Sequence, residues 1–479
     1  MKKLSVWLMV LSMIGALFLS GCQNEKSGGS KDQVTLDVTI RWVSAADIIE
    51  NEIVPAFEKE NPDINIEIQK SFNTSYTQSL QAAVNGGNLP DIFASHPTLP
   101  VNKLYDLGVL HKIDDVIGDR KDEFEEGTWT KGSTVMEDGS IYAFPLMTGH
   151  KDSFVMYYNK DVLKQAGLSE EDVPKSWEEL LKVSKEISDK TDAYGVVVGL
   201  KTPWVAEGAL TQMASAITPE VMPATYYDPK KGEYNYHTEG TIQSIEFFKK
   251  MEDEKVLHPN SLTLDPAEAP AVFAGGQAAF LFDGAWTGSN LVKDGFENFG
   301  SALVPTKDGK EQYLGFQGNL AAGLLVNKET EHYEEAKLFL KYLMDKGYEE
   351  LVKNGSQFSP IPEINEKHKP DNVVGDTFQL QFDTFIPAPN PVDKNENAPA
   401  VTAEMSGKGP QETVGDILVG YLTGQISDLE GTLQKMSEGK NKAFKDAIKK
   451  VQDEGTEIDQ SAWMFEDWKP FEPYVKKDQ

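Results

Sequence analysis

The side chains best suited to ligand binding are aromatic residues at predicted loops and strand ends. They are Trp42, Phe72, Tyr76, Trp204, Trp286, Phe316 and Phe358. An aromatic face matches the apolar C–H face of a sugar ring, and covering about 50 Å² of apolar surface per ring contributes ~1 kcal/mol. Taken singly, each of these aromatics is more often a core residue. Trp177 is assigned to the core, because it lies on the apolar stripe of a predicted helix.

Motifs of the common enzyme classes are missing from the sequence. The chain contains no GxSxG, GxxxxGKS/T, GxGxxG, HExxH or EF-hand pattern. Its seven histidines form no pair at i, i+3 or i, i+4, so a histidine metal site would have to be assembled from distant parts of the chain. Neither a metal nor a cofactor is expected. With 76 acidic residues a glycosidase-type carboxylate pair could exist by chance, but the sequence singles none out.

The charge balance disfavours nucleic-acid binding. The chain has 46 Lys and Arg against 76 Asp and Glu, a formal net charge of -30. A field of that sign repels phosphate backbones, although an acidic surface can also serve only solubility. Its 479 residues exceed the about 250–300 residues that one hydrophobic core fills, so two or more folded units are expected.

The one cysteine of the chain follows a leader-like segment. Lys2 and Lys3 precede an apolar run over residues 4–20, which ends in Leu-Ser-Gly-Cys at Cys22. This ending resembles a bacterial lipobox and predicts a signal peptide over residues 1–21, with a lipid on the Cys22 thiol. The alternative is a single membrane-spanning helix, since the run is close to the minimum spanning length.

The leader and the segment after it predict where the protein lies. Residues 22–33 comprise Cys22 followed by Gly, Ser and charged residues without apolar periodicity, as in a flexible linker. The folded body is therefore expected to be exported and anchored by lipidated Cys22 to the outer face of a bacterial cell membrane.

The first part of the folded body alternates strand and helix patterns. Strands are predicted at residues 34–40, 64–69 and 90–94, and helices at residues 46–61 and 77–85. This order indicates an α/β sheet with helices on its faces. Ligands bind such sheets outside the carboxyl ends of the strands, so the loops after Ile40, Gln69 and Ala94 are the expected site.

The remainder of the chain continues the mixed pattern. Helices are predicted at residues 176–190, 241–252, 334–345, 415–422 and 426–451, and strands at 194–200, 278–282 and 321–326. Residues 355–397 are rich in proline and polar residues and show less regular patterning. No repeat of 20–50 residues is present, which disfavours solenoids and propellers.

Several short motifs in order resemble those of one family. They are Pro90-Asp91-Ile92-Phe93, the YYNKDVL stretch at 157–163, the SWEEL stretch at 176–180, the GGQAAF stretch at 275–280, Asp283-Gly284-Ala285-Trp286, and Leu422-Thr423-Gly424-Gln425 with Leu429-Glu430. The sequence is thereby similar to extracellular solute-binding protein family 1, the carbohydrate-binding lipoproteins of ABC importers that include maltose-binding protein. The motifs cover nearly the whole predicted mature chain.

The resemblance implies an α/β, two-lobed, periplasmic-binding-protein-like fold of the class II type, with a hinge between the lobes. The N-terminal lobe would comprise residues 34–150 plus 306–356, and the C-terminal lobe residues 151–305 plus 357–479. The ligand would lie in the cleft between them. An aromatic tail around Trp463 and Trp468 is extra to the family pattern and is interpreted as a strap packed on one lobe.

The resemblance also implies the ligand contacts. Trp286 is the expected stacking residue, Asp152 a hydroxyl-binding carboxylate and His96 a polar contact, with Trp42, Trp204, Phe316 and Gln317 in cleft-facing stretches. The chain departs from the family at Ser95-His96-Pro97, and the stretch after Pro387 has no tryptophan at the place where maltose binders carry one. An oligosaccharide or modified sugar other than maltodextrin is therefore the expected ligand.

The sequence thus predicts a lipid-anchored, non-enzymatic and monomeric receptor that delivers a carbohydrate to the transmembrane subunits of an ABC permease. Three alternatives stay open at this point. They are a receptor for a non-sugar solute such as a polyamine, which an acidic cleft would suit, a tethered glycoside hydrolase, and a purely structural surface protein.

Overall fold

The structure is a computed structural model, and it describes residues 33–71, 73–150, 153–317 and 322–474. The predicted leader, Cys22 and nearly all of the linker lie outside the described residues, as do Phe72 and Asp152. Among the residues that are described, no helix combines the length and apolar character needed to cross a bilayer.

The strands follow one another along almost the whole chain. They are β1 (Val34–Ile40), β2 (Ile64–Lys70), β3 (Ile92–Ala94), β4 (Ala143–Met147), β5 (Phe154–Asn159), β6 (Tyr194–Val197), β7 (Tyr227–Asp228), β8 (Glu233–Tyr234), β9 (Ala278–Gly284), β10 (Phe299–Leu303), β11 (Leu314–Phe316), β12 (Ala322–Val326) and β13 (Phe385–Pro387).

Helices fill most of the connections. They are α1 (Val43–Ile48), α2 (Val54–Glu60), α3 (Asn73–Gly86), α4 (Val101–Asp106), α5 (Asp114–Ile117), α6 (Lys160–Gln165), α7 (Trp177–Lys190), α8 (Pro203–Ser215), α9 (Glu239–Asp253), α10 (Glu268–Ala274), α11 (Thr287–Lys293), α12 (Tyr333–Tyr342), α13 (Tyr348–Lys353), α14 (Pro362–His368), α15 (Val373–Thr384), α16 (Ala398–Met405), α17 (Val414–Leu422) and α18 (Leu429–Asp453). Short π-helical turns join α1 to α2 and α12 to α13.

Two separate mixed sheets each form the centre of a lobe. The first has the order β2-β1-β3-β12-β4, and the second the order β10-β5-β9-β6. In the first sheet β1 is parallel to β2 and β3, while β12, from far along the chain, inserts antiparallel beside β3. The predicted α/β two-lobed fold is confirmed, and the late inserted strand fits its class II form.

Local sequence accounts for most of these elements. In β1 the alternating residues Leu36, Val38 and Ile40 are fully buried in the first lobe, as a half-buried strand requires. Ser176 caps α7 in a capping box with Glu179, which fixes where this helix begins. The strands and helices predicted from periodicity are confirmed within a few residues.

The helices that the sequence pattern missed have weak periodicity. Helix α8 is buried on nearly every side in the second lobe, so its apolar residues do not recur on one face. The region 355–397, predicted to be irregular, contains α14 and α15. A proline begins α14 and an asparagine caps α15, signals that a single sequence shares with ordinary loops.

The chain crosses between the two sheets after β4 and again before β12. Residues 148–153 link β4 of the first sheet to β5 of the second. On the return, Gln312 and Tyr313 still bond to the second lobe, since the Gln212 side chain donates to Gln312 Oε1 at 3.0 Å and Tyr313 N donates to Ser215 Oγ at 3.2 Å. The lobe boundaries stay a prediction, but these bonds favour a crossing later than residue 306.

The aromatic tail packs as a strap on the second lobe, as predicted. Trp463, Phe465 and Trp468 are at most 5% exposed and share a core cluster with Phe444 of α18. The tail is therefore part of the folded body and not a loose extension.

Trp177→Ala tests the expected core of the second lobe. The indole stacks on Phe247 at 4.4 Å between ring centroids, and its Nε1 donates to the Pro305 carbonyl at 2.9 Å. Its loss leaves a cavity and an unpaired carbonyl, so we expect unfolding free energy to fall by about 3–5 kcal/mol, measured by urea denaturation. Leu338→Ala, at an exposed position on α12, is the control. Equal effects of the two substitutions would contradict the assignment.

Candidate functional site

Three aromatic rings form a platform at one edge of the second lobe. Trp204 and Trp286 lie 6.0 Å apart between centroids with their planes inclined by 38°. Phe154 supports both from below, edge-on, at 6.1 Å and 5.7 Å. Phe154 is buried, whereas Trp204 is 46% exposed. The arrangement presents apolar ring surface to solvent on a rigid base.

Each ring of this platform is placed by the end of a regular element. Trp204 lies in the first turn of α8, Trp286 is the N-cap of α11, and Phe154 begins β5 immediately after the first crossing. The Trp286 ring folds back over Gly284, where a Cβ atom would lie 2.0 Å from the ring. Glycine is therefore required at 284 for this ring position.

Buried polar groups hold the turn that carries Trp286. The Tyr157 hydroxyl lies 3.0 Å from the carbonyl oxygens of both Gly284 and Ala285, and accepts a bond from Gly288 N at 2.9 Å. Asp283 precedes this turn and accepts from Gly284 N at 2.7 Å. Burial raises the pKa of the Asp283 carboxyl to about 7, because water is excluded from its charged form.

A second group of side chains lies at the carboxyl edge of the first sheet, where the sequence predicted a site. Arg41 follows β1, and its Nε donates to the Ser95 carbonyl beyond β3 at 2.7 Å. Its guanidinium lies 4.5 Å from the centre of the Trp42 ring. Trp42 Nε1 is buried and has no acceptor among the described residues, so this donor is suited to an incoming oxygen.

His96 is fixed in the same group by hydroxyl partners. Its Nε2 lies 3.2 Å from Thr77 Oγ1, and its Nδ1 lies 2.8 Å from Thr98 Oγ1. Burial lowers the pKa of the imidazole, and the positive charge of Arg41 lowers it further. The lowered pKa favours the neutral imidazole, a form that can both donate and accept.

Side-chain hydrogen bonds from Glu125 hold the first crossing against the first lobe. Glu125 accepts from Thr148 Oγ1 at 2.7 Å and from Gly149 N at 2.6 Å, and its Oε2 lies 3.0 Å from His150 Nδ1. The His150 carbonyl in turn accepts from Gln381 of α15 at 2.6 Å. One carboxylate thus joins three consecutive residues of the crossing to the first lobe.

Gln317 and Phe316 lie on the return crossing. Phe316 ends β11, which pairs in parallel with β13, and only its backbone placement is described. Gln317 Nε2 donates to the Pro389 carbonyl at 2.7 Å, while Asn390 Nδ2 donates to the Gln317 carbonyl at 2.6 Å. The amide nitrogen of Gln317 is therefore used within the hinge region.

An ion pair brings the two lobes together beside the aromatic groups. Lys293 at the end of α11 lies 2.9 Å from Asp47 of α1, which also pairs with Lys70 at 2.8 Å. Helix α1 begins after Trp42, and helix α11 begins after Trp286. The pair thus joins the helices whose N-terminal ends carry the two tryptophans.

The structure separates the sequence-predicted residues into those near a lobe edge and those in a core. Trp204 and Trp286 come together, and Trp42 and His96 share the first-lobe group, whereas Tyr76 and Phe358 are core residues only 2% and 4% exposed. The expectation that these last two line a ligand surface was wrong, because each ring packs into a lobe core.

Two residues of these groups were missed by the sequence reasoning. Arg41 directly follows the first strand, the place where a site was expected, so its position was a usable signal. Phe154 had no signal of its own. Asp152 lies outside the described residues, and within the described ranges no group of three or more His, Cys, Asp or Glu is arranged to hold a metal ion.

Two α/β lobes with crossing chains, and aromatic and polar groups at their edges, define a two-lobed ligand-binding receptor. The family model for bacterial extracellular solute-binding proteins matches residues 44–350, more than half of the chain. The chain belongs to this family, as its motifs predicted.

Similar proteins agree on the fold over most of the chain. The maltodextrin-binding protein MdxE of Bacillus subtilis is 23% identical over 79% of this chain and 85% of its own length. The arabinooligosaccharide-binding protein of the same organism is 25% identical over 73% and 78%. The GacH receptor of Streptomyces glaucescens, solved unliganded and with acarbose, superposes with a TM-score of 0.64 at 19% identity, covering 86% of this chain and 99% of that receptor.

Asp283→Asn is expected to change the pH dependence of stability. In the unfolded chain this carboxyl titrates near 3.8, whereas in the folded protein its pKa is about 7. Folding therefore favours the protonated form, and stability from this group falls as the pH rises from about 4 to 7. The amide keeps the bond from Gly284, so we expect the variant to gain at most about 4 kcal/mol at pH 8 and nothing at pH 4.

The measurement is calorimetric melting of wild type and variant between pH 4 and pH 8. Asp228→Asn is the control, because Asp228 is also buried but has Lys231 at 3.1 Å to balance its charge. A gain at pH 8 for Asp228→Asn and none for Asp283→Asn would contradict this interpretation.

Proposed function

We propose that the protein is a carbohydrate receptor of an ABC importer, which binds an oligosaccharide or modified sugar between its lobes. The observation that carries the proposal is the Trp204–Trp286 platform over Phe154. Two inclined indoles on a buried base suit the apolar faces of consecutive sugar rings, with ~1 kcal/mol for each covered face.

Polar groups of the first lobe supply the complementary contacts in this proposal. Neutral His96, the Arg41 guanidinium and Trp42 Nε1 are donors at one edge of the first sheet, and His96 can also accept. Sugar hydroxyls need such mixed partners around a stacked ring. Asp152, Phe316 and Gln317 stay proposed ligand contacts.

Closure follows from the placement of the two groups on different lobes. A ligand that contacts both lobes only when they are close together shifts the population toward the closed form. The Asp47–Lys293 pair at 2.9 Å links α1 of the first lobe to α11 of the second. It therefore favours approach of the lobes where these two helices lie. Binding and closure need no covalent step, so the protein is proposed to be a receptor without catalytic activity.

The ligand class is supported by the similar proteins. MdxE is named for maltodextrin, its Bacillus subtilis relative for arabinooligosaccharide, and GacH was solved with acarbose. Because the first-lobe edge has His96 where many family members place Trp or Asp, we propose a sugar other than maltodextrin. The lobe assignment given by the sequence is kept as part of this proposal.

The remaining parts of the proposal concern the cell surface. Cys22 is proposed to carry the lipid that anchors the protein to the outer face of the cell membrane, and the transmembrane subunits of an ABC permease are its proposed partners. A monomer is sufficient, since both ligand-facing groups come from one chain.

A melting-temperature screen identifies the ligand class. A solute that binds only the folded state stabilises it by ~2.7 kcal/mol at a hundred times its dissociation constant. We expect a selective upward shift with one saccharide and none with spermidine, and no released product after long incubation. A shift with spermidine alone would favour the polyamine receptor, and product release the hydrolase.

Trp286→Ala tests the platform directly. Removing this ring takes away one stacking face and its edge contact with Phe154, so we expect saccharide affinity to fall at least about tenfold, or ~1.4 kcal/mol. The measurement is isothermal titration calorimetry with the saccharide that shifts the melting temperature.

Trp129→Ala is the matched control. This tryptophan is also partly exposed, but it packs on Phe124 of the first lobe at 4.9 Å between ring centroids and belongs to neither ligand-facing group. Its loss should leave affinity unchanged. Unchanged affinity in Trp286→Ala would remove Trp286 from the site.

A further inference from the structure

The aromatic tail contacts the hinge region as well as the second-lobe core. We name residues 455–474 the C-terminal strap, and residues 385–399 the bridging segment. The bridging segment begins with β13, the partner of β11 on the return crossing. It ends in the first turn of α16. These two parts of the chain are joined by several independent contacts.

The strap holds the bridging segment along its length. Tyr474 N donates to the Pro387 carbonyl at 2.9 Å. The Lys394 ammonium donates to the Met464 carbonyl and lies 4.5 Å from the centre of the Phe465 ring. Asn395 Nδ2 donates to the Glu457 carbonyl at 3.1 Å, and Asn397 Nδ2 to the same oxygen at 3.3 Å.

The strap also contacts the chain where it enters β11, the strand that pairs with β13. Phe471 packs on Tyr313, the residue before β11, at 5.0 Å between ring centroids. Phe471 has φ of 61°, a left-handed conformation that a bulky residue adopts only when its surroundings require it. The strap thus contacts β13 at Pro387 and the residue that precedes β11.

The bridging segment also contacts Gln317 of the return crossing and the first lobe. It exchanges two hydrogen bonds with Gln317 through Pro389 and Asn390. Further along, Glu396 pairs with Lys131 of the first lobe at 2.6 Å.

The contact with the first lobe continues at Pro399. The Pro399 carbonyl accepts from Asn102 Nδ2 at 3.3 Å. Gly132 permits the close approach, because a Cβ atom there would lie 2.3 Å from the Pro399 side chain, and its φ of +79° also favours glycine. One segment, held on one side by the strap, therefore contacts both the return crossing and the opposite lobe.

We propose that the C-terminal strap is a positioning element for the ligand cleft. By fixing the bridging segment against β11, it orients Gln317 and sets how closely the two lobes approach before ligand arrives. Asn390 and Lys394 are the positioning residues through which it acts. The inference rests on the proposed receptor function, because its consequence is the fraction of molecules ready to close on a ligand.

The test uses Lys394→Ala and Phe471→Ala, singly and combined, in the full chain in detergent. Apparent affinity scales with the fraction of binding-competent molecules, so we expect the double variant to bind the saccharide about tenfold more weakly, by calorimetry. Lys469→Ala is the matched control, because Lys469 is an exposed strap lysine that pairs with Glu472 at 3.1 Å within the strap. Its affinity should equal that of wild type.

Interlobe distance is the readout that a merely stabilising strap would not change. Spin labels at Leu107→Cys and Lys449→Cys, with Cys22→Ser, report on the two lobes by pulsed electron paramagnetic resonance. Without ligand, the double variant should show a longer and broader distance distribution than wild type. If Phe471→Ala lowers the melting temperature sharply, the distance distribution of Lys394→Ala alone is used for the test, because Lys394 is exposed and its loss should not unfold the protein.

The outcomes separate this inference from the receptor function. Unchanged distance distributions in the variants overturn the positioning role, whether or not a sugar binds. If wild type binds no saccharide, the carbohydrate proposal fails. A changed distribution of interlobe distances in the ligand-free variants would still support the positioning role of the strap. Weaker binding with unchanged distances also overturns the inference, because the strap would then act by stability alone.

Discussion

The Glu125 carboxylate is the interaction on which the relation between the two lobes depends. It bonds to Thr148 and Gly149 and lies against His150, the residues by which the chain leaves the first sheet. A crossing chain has no sheet partners, so its polar groups must be satisfied by side chains or water. The Glu125 carboxylate meets this need for three consecutive residues of the crossing.

In the proposed function, the two lobes divide the binding chemistry between them. The second presents apolar ring faces at Trp204 and Trp286, and the first presents donors and acceptors around His96 and Arg41. A ligand with both apolar faces and hydroxyls is matched only when the lobes approach, which couples recognition to closure. Although the chain carries a net charge of -30, the described first-lobe group contains the cation Arg41, so the site is not simply acidic as a polyamine receptor would need.

In the proposed positioning role, the C-terminal strap acts on the cleft through the bridging segment. Its buried tryptophans bind it to α18, and its polar contacts reach the bridging segment and through it Gln317 and the first lobe. Closure in such a molecule is a small free-energy difference between arrangements that share nearly all their contacts. On this proposal, the packing of the strap changes the fraction of binding-competent molecules without contacting a ligand.

The sequence by itself determined the elements, the α/β class and the family, because apolar periodicity, caps and ordered motifs are local properties. It also named Trp286 and Trp204 among its candidate ligand-contacting aromatics and assigned Trp177 to the core. Tertiary structure alone decided that Tyr76 and Phe358 are buried, that Phe154 supports the platform, and that Gln317 bonds to Pro389. The reason is physical: whether a side chain lies at the surface, in the core or in a hydrogen bond depends on what packs against it. Here those partners are 18, 50 and 72 residues away along the chain, which no local pattern records.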